Sequence, residues 1–195
     1  MKSLTEREQK QLLKTVRETK GKRAERDYCL LEIGFNTGLR RAEIHGLNVG
    51  DVRNMEKLNV RPEIAKRHKN RVVTIHKDLR RIIKTFIRLK LTWGEGIQDD
   101  APLFMSRKGN RVSVRDINEI FEYWCIKSGL VFNVNGKLKA QFSVHSMRHS
   151  FATRLVQRGS SINAVQKLLG HSSLASTGVY TEATPEECEE AVNRL

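Results

Sequence analysis

The sequence predicts a mainly α fold with one small antiparallel β-sheet (α+β), and three observations predict it. Apolar residues recur at helical spacing through most of the 195 residues. The period shortens to two around residues 58–75. Capping residues, glycine and proline punctuate the chain at intervals suited to short helices. The length fits one large domain or two small ones with a sizeable core, and 38% hydrophobic with 30% charged residues does not look like a disordered chain. No apolar run reaches about 18 residues and the N-terminus has no apolar signal region, so neither a membrane span nor Sec-type secretion is expected. Cys29, Cys125 and Cys188 are odd in number and widely spaced. They make neither a disulfide framework nor a metal clip, which suits a reduced, cytoplasmic protein.

In order along the chain, Thr5 followed by Glu8 is a capping box that opens a helix over 5–19, with Leu12, Leu13 and Val16 on one face and Gly21 at its end. Tyr28, Leu31, Ile33 and Phe35 mark a helix over 23–36. Thr37, Gly38, Leu39 and Arg40 then turn into a short helix holding Ala42, Glu43, Ile44 and Leu47. Alternation over 58–61 and 71–75 predicts two strands of a hairpin whose connection, 66–70, is basic. Helical spacing returns at 78–91, followed by a Gly-, Asp- and Pro-rich loop at 94–102 and a helix over 114–128 that starts after Ser113. The last third predicts helices over 145–158, 161–169, 172–180 and 185–195. The last of these is announced by Thr184 as cap, Pro185 in the first turn and Glu187 three residues on.

Charge is the first functional signal. Thirty-six Lys and Arg stand against 22 Asp and Glu, a net charge of +14. Residues 181–195 carry five glutamates and one arginine, so the first 180 residues hold +18. Basic residues interleaved with apolar ones across a folded body suit a nucleic-acid backbone, and the 6% aromatic content offers no base-stacking platform for RNA.

Three polar clusters carry the chemistry: TGLRRAE at 37–43, HSMRHSFAT at 145–153 and LLGHSSLASTGVY at 168–180. Singly, each has an ordinary explanation. A tyrosine near a helix end usually packs, a histidine usually caps or faces solvent, and an arginine in a basic protein is usually solvated. In order and together, with His171 nine residues before Tyr180 and 23 after Arg148, they resemble the tyrosine recombinases, the phage-integrase family, over about residues 4–190. TGLRRAE resembles the family's first-arginine box, HSMRHSFAT its His-x-x-Arg box and LLGHSSLASTGVY its terminal box.

The resemblance implies the tyrosine-recombinase catalytic-domain fold and a catalytic set of Arg40, Lys66, His145, Arg148, His171 and Tyr180. Lys66 enters through a hairpin pattern near Lys-x-x-Lys-x-Arg-x-Val, which residues 66–73 fit. Lys69 is the alternative lysine, and Arg67 stands where glycine usually follows the first. Two planar guanidinium forks, Arg40 and Arg148, suit the non-bridging oxygens of a phosphodiester whose charge grows in the transition state. A tyrosine, with an ordinary pKa of ~10, must be activated to attack. By the resemblance His145 accepts its proton, His171 hydrogen-bonds the phosphate and Lys66 protonates the departing 5′ oxygen. The product is a 3′-phosphotyrosine link at Tyr180 beside a free 5′ hydroxyl. ATP, metal and other cofactors are not expected. Glu43 lies one helical turn after Arg40, as its support or as an ordinary helix ion pair. His145 and His149 share the spacing of paired zinc ligands, but Ser146 stands where a metalloprotease motif has glutamate.

Backbone contacts to DNA are expected from Arg67, Lys69, Arg71, Arg107, Lys108, Arg111 and Arg154. The domain reading is a catalytic domain over 1–184 and an acidic amphipathic helix over 185–195, packed on its own body or docked on a neighbouring protomer. The DNA-clamping, core-binding domain that precedes the catalytic one in most members is missing from the sequence. That fits an excised fragment or a short stand-alone member. The partners implied are double-stranded DNA, copies of the chain (a tetramer on DNA, a monomer alone) and accessory DNA-bending proteins. No membrane partner is expected, and the location is cytoplasmic, on the nucleoid when DNA is bound. Two rival functions are relaxation of DNA in the manner of a type IB topoisomerase and a non-catalytic DNA-binding regulator descended from a recombinase.

Overall fold

The structure, a computed structural model, describes residues 2–54, 56–65, 70–169, 189, 190, 192 and 193. Helix α1 (Glu6–Glu18) begins where expected. Thr5 Oγ1 accepts from the Glu8 amide at 3.2 Å, and Glu8 Oε2 accepts from the Thr5 amide at 2.8 Å. Its stripe, Leu12 and Val16, is fully buried. Helix α2 (Lys22–Thr37) is buried over most of its length, with Leu30, Leu31, Ile33 and Phe35 at 0% exposure, and packs against α1, α4 and α6. That makes it the central helix, and its C-terminal end lies beneath the site described below.

Helix α3 (Arg41–Gly46) and a 3₁₀ turn (Gly50–Val52) lead into strand β1 (Lys57–Val60), which pairs antiparallel with β2 (Arg71–Thr74). The register sets Val60 opposite Arg71, so Arg71 begins its strand where the hairpin connection ends. Leu58, Val60 and Val73 point inward. Helix α4 (Lys77–Thr92) buries Leu79, Ile83 and Phe86, and also Lys90 at 0% exposure. Burial of that ammonium is offset by a 2.7 Å bond from its Nζ to Glu95 Oε2. Helix α5 (Val114–Lys127) is capped by Ser113 and tied to α2 through Asp27, which accepts from Trp124 Nε1 at 2.9 Å and from Arg26 at 2.6 and 2.8 Å. Burial raises the Asp27 carboxyl pKa, with Arg26 and the Trp124 bond opposing.

A second hairpin follows, β3 (Val131–Val134) with β4 (Lys137–Ala140), so the described residues hold two two-stranded sheets where the sequence reading has one. Its signal is Asn135 and Gly136, which take φ +50° and +79°, a turn chemistry that favours hairpins. The strands lack buried alternation: only Val131, Val134 and Ala140 are partly covered. Helices α6 (His145–Gln157) and α7 (Ile162–Leu169) complete the body. Phe151, Leu155, Ala164, Val165, Leu168 and Leu169 form a smaller apolar cluster between them, and the fully buried Val192 joins it. The helix expected over 172–180 and the rest of 185–195 lie outside the described residues. No helix among the described residues is long and apolar enough to cross a membrane.

Candidate active site

Helix α2 ends at Gly38, whose φ of +62° is left-handed. Space adds a second requirement for glycine, because a Cβ there would lie 2.5 Å from Phe151 Cδ1 and 2.8 Å from Leu169 Cδ2. This turn sets the next residues against α6 and α7. Arg40 occupies the N-cap of α3. Its amide donates to Glu43 Oε2 at 2.7 Å and its Nη1 to Glu43 Oε1 at 3.1 Å. Arg148, one turn into α6, reaches the same turn from the other side. Its Nη1 donates to Gly38 O and its Nη2 to Leu169 O, both at 2.6 Å. The first-arginine box and the His-x-x-Arg box thus meet at a single turn.

Glu43, 1% exposed, is the hub of this meeting. Arg71 grips it with a two-pronged fork, Nη1 to Oε1 and Nη2 to Oε2, each at 2.8 Å. Burial works to raise the Glu43 pKa, but the bonds and charge of Arg71, with Arg40 behind them, hold the carboxyl below its ordinary value. Arg40, Arg71 and Arg148 surround one carboxylate, so the cluster keeps a surplus positive charge. Arg148 registers that surplus. Burial and the adjacent Arg40 draw its pKa down to about 10, with Glu43 opposing and Arg71 adding to the fall. It remains charged at neutral pH, and among the described residues its bonds go to neutral carbonyls. Such a cluster binds an oxyanion and stabilises added negative charge on it.

His145 opens α6 three residues before Arg148, on the same side of the helix. Its ring reaches solvent, yet partial burial and the charges of Arg41 and His149 lower its pKa from 6.5. It is therefore neutral at pH 7 and able to accept a proton. His149 is also exposed, and among the described residues no group of three or more His, Cys, Asp or Glu side chains is placed to hold a metal. Lys66, Arg67, Lys69, His171 and Tyr180 lie outside the described residues.

Of the remaining expected backbone contacts, Arg107 and Lys108 are exposed on the turn after Met105. They line a cleft of about 370 Å³ with Arg23, Arg26 and Arg111. Arg111 is partly committed inward, donating to His45 O, Leu47 O and Asn48 Oδ1 at 3.0, 2.7 and 2.6 Å. Arg154 requires correction. It is 9% exposed, and its Nη2 donates to Phe35 O at 2.6 Å and to Asn36 Oδ1 at 3.3 Å. Its guanidinium turns to the C-terminal end of α2, to one backbone carbonyl and one side-chain oxygen. Arg71 likewise spends its fork on Glu43. Sequence reasoning passes over Arg23, Arg26 and Arg41. The first two stand one turn apart at the start of α2, and Arg41 donates to Asn118 Oδ1 at 3.2 Å while acting on His145.

Comparison with known proteins adds independent findings. A family model described as the phage integrase family matches residues 2–187. The tyrosine recombinase XerC of Histophilus somni (strain 2336) is 36% identical over 156 residues, which cover 80% of this chain and 48% of that protein. XerC of Caldanaerobacter subterraneus subsp. tengcongensis is 32% identical over 192 residues, 98% of this chain and 50% of the relative. The chain spans about half the length of these curated relatives. The crystal structure of XerA recombinase superposes with a TM-score of 0.72 at 26% identity, covering 96% of this chain and 63% of the other. The integrase of mycobacterium phage Brujita superposes at 0.67 with 19% identity over 100% of this chain and 59% of its own, a likeness of fold.

Proposed function

We propose, from the premise that this chain belongs to the phage integrase family, that it is the strand-cutting and rejoining part of a site-specific DNA recombinase. The observation that carries this reading is the convergence of Arg40 and Arg148 on one turn with surplus positive charge and a neutral histidine beside it. Its curated relatives are tyrosine recombinases, and Tyr180 stands at the position of the nucleophile in the terminal box.

In the proposed reaction, a DNA phosphodiester enters between Arg40 and Arg148, with His171 as a further donor to its oxygens. Tyr180 Oη attacks phosphorus as its proton passes to His145. The bond from phosphorus to the 5′ oxygen breaks, and that oxygen takes a proton from Lys66. A 3′-phosphotyrosine link and a free 5′ hydroxyl result. Attack by a 5′ hydroxyl, on the same or another duplex, reverses each transfer and releases Tyr180. The phosphoester bond is exchanged rather than hydrolysed, so the proposed cycle needs neither ATP nor a metal. The developing negative charge falls where the arginine cluster has most to offer.

Duplex DNA is the proposed partner, held beyond the reacting phosphate by the cleft at Arg107 and Lys108. Helix α3 separates the two places. Arg40 caps its start and Arg111 holds its last carbonyls.

The test is covalent capture. Wild-type protein is incubated with nicked duplexes selected from a random library, in EDTA, and run on a denaturing gel. The expected result is a protein–DNA adduct that Tyr180→Phe abolishes. An adduct that survives the substitution, or one that needs a divalent ion, overturns the mechanism. Adduct formation with supercoil relaxation but without strand exchange supports the topoisomerase reading instead, and tight duplex binding without adduct supports the regulator.

A further inference from the structure

Between Glu122 and Glu182 the sequence holds seven lysines or arginines and no aspartate or glutamate. Several of those cations have partners within the chain. Arg148 and Arg154 turn to backbone carbonyls, Arg158 pairs with Glu6 at 3.1 Å, and Lys127 donates to Thr19 Oγ1 at 3.1 Å. Lys137 and Lys139 differ. Both are exposed on β4, and among the described residues neither has an ion pair.

Residues two apart on a strand share a face, so these two ammonium groups stand on one side of the hairpin. The register places Val134 opposite Lys137 and Phe132 opposite Lys139. An acidic residue at either position would stabilise the hairpin through a cross-strand ion pair, and neither position holds one. Phe132 is instead 47% exposed, paired with a lysine. The sheet therefore offers a basic face with an aromatic ring and no countercharge of its own. A short connection joins this arm to the site. Gln141 N donates to Leu130 O at 2.9 Å across its base, and β4 ends five residues before His145.

We propose that the β3–β4 hairpin is a DNA-contacting arm, whose face of Phe132, Val134, Lys137 and Lys139 takes the sugar–phosphate backbone of the duplex near the reacting phosphate. The two ammonium groups meet phosphates, and Phe132 meets the apolar edge of a deoxyribose. Contacts of this kind hold and orient a duplex without reading its sequence. The inference rests on the recombinase reading and adds to it a second contact surface, on an element separate from the cleft at Arg107 and Lys108.

Lysines on open strands also keep sheets from joining edge to edge, and the test separates that role from DNA contact. Binding of a random-sequence duplex is measured across a salt series in Tyr180→Phe protein, which does not pass on to a covalent link. Each lost phosphate contact lowers the slope of log K against log salt by about 0.9, so replacing Lys137 and Lys139 together by Ala should lower it by about 1.8. Replacing both by Glu keeps the edge charged but repels phosphate, and should weaken binding beyond the alanine pair. Phe132→Ala should weaken binding and leave the slope unchanged, since it removes no charge. A benzophenone side chain in place of Phe132, in protein with both lysines intact, should crosslink to the duplex on irradiation. That measurement carries the test if the lysine variants fail to fold.

The proposal is overturned if the alanine pair keeps the parent slope, if the glutamate pair binds like the parent, or if the crosslink forms only with a second copy of the chain. Absence of salt-dependent duplex binding by the Tyr180→Phe parent defeats the DNA partner of the recombinase reading itself. Parental binding that the arm variants leave unaltered defeats only the arm.

Discussion

His145 and Arg148 lie one turn apart on α6, and the same neighbourhood lowers the pKa of both. Burial, with crowding of positive charge behind it, costs each of them some affinity for its proton. Arg148 begins so high that a fall to about 10 leaves it a cation at neutral pH. His145 begins at 6.5, and the same sign of shift fixes it as neutral. As proton acceptor, His145 works only deprotonated, so activity should hold a plateau through neutral pH and decline on acidification. Because its pKa is lowered, the midpoint of that decline should lie below 6.5. Arg41→Ala removes one cause of the shift and should move the midpoint upward. Single-turnover adduct formation between pH 5 and pH 8 measures both. A wild-type midpoint at or above 6.5 would contradict the acceptor role.

At the scale of elements, the junction of α2, α3, α6 and α7 depends on Gly38. Gly38→Ala asks an L residue to hold φ +62° and places a methyl group against Phe151 and Leu169. The combined strain should destabilise the protein by about 3 kcal/mol, read as a lower urea midpoint. It should also slow adduct formation, since the Gly38 carbonyl orients Arg148. A variant with unchanged midpoint and rate would show that the turn tolerates the side chain and that the convergence does not depend on it. Caps and apolar stripes made most elements legible in sequence, because the capping box of α1, the Ser113 cap of α5 and the stripe of α4 are local signals. The β3–β4 hairpin escaped because neither face is deeply buried, leaving only its Asn-Gly turn to betray it. Residue partners were less legible still. The sequence shows Arg71 and Arg154 as cations in a basic protein. That one neutralises Glu43 and the other caps α2 follows only from contacts between segments remote in the chain.

Across the whole molecule, the 36 lysines and arginines divide into different tasks. Some are neutralised internally, as in the pairs of Arg26 with Asp27 and Lys90 with Glu95. Some surround Glu43, and some line the cleft with Arg107 and Lys108. Composition foretold the excess but not this division, since burial decides which charges remain available to an anionic partner. If the cleft tracks a DNA backbone, replacing both Arg107 and Lys108 by Ala should lower the salt slope of duplex binding by about 1.8. Affinity should fall more than the cleavage rate at saturating DNA. An unchanged slope would place the DNA elsewhere.

The proposed reaction gives the covalent role to Tyr180. The most direct test is to trap the adduct, digest it with nuclease and protease, and locate the nucleotide-bearing residue by mass spectrometry. The expected result is a 3′-phosphonucleotide on the peptide containing Tyr180, attached through its phenolic oxygen. A nucleotide on any other side chain, or linkage through a 5′ phosphate, would contradict the account.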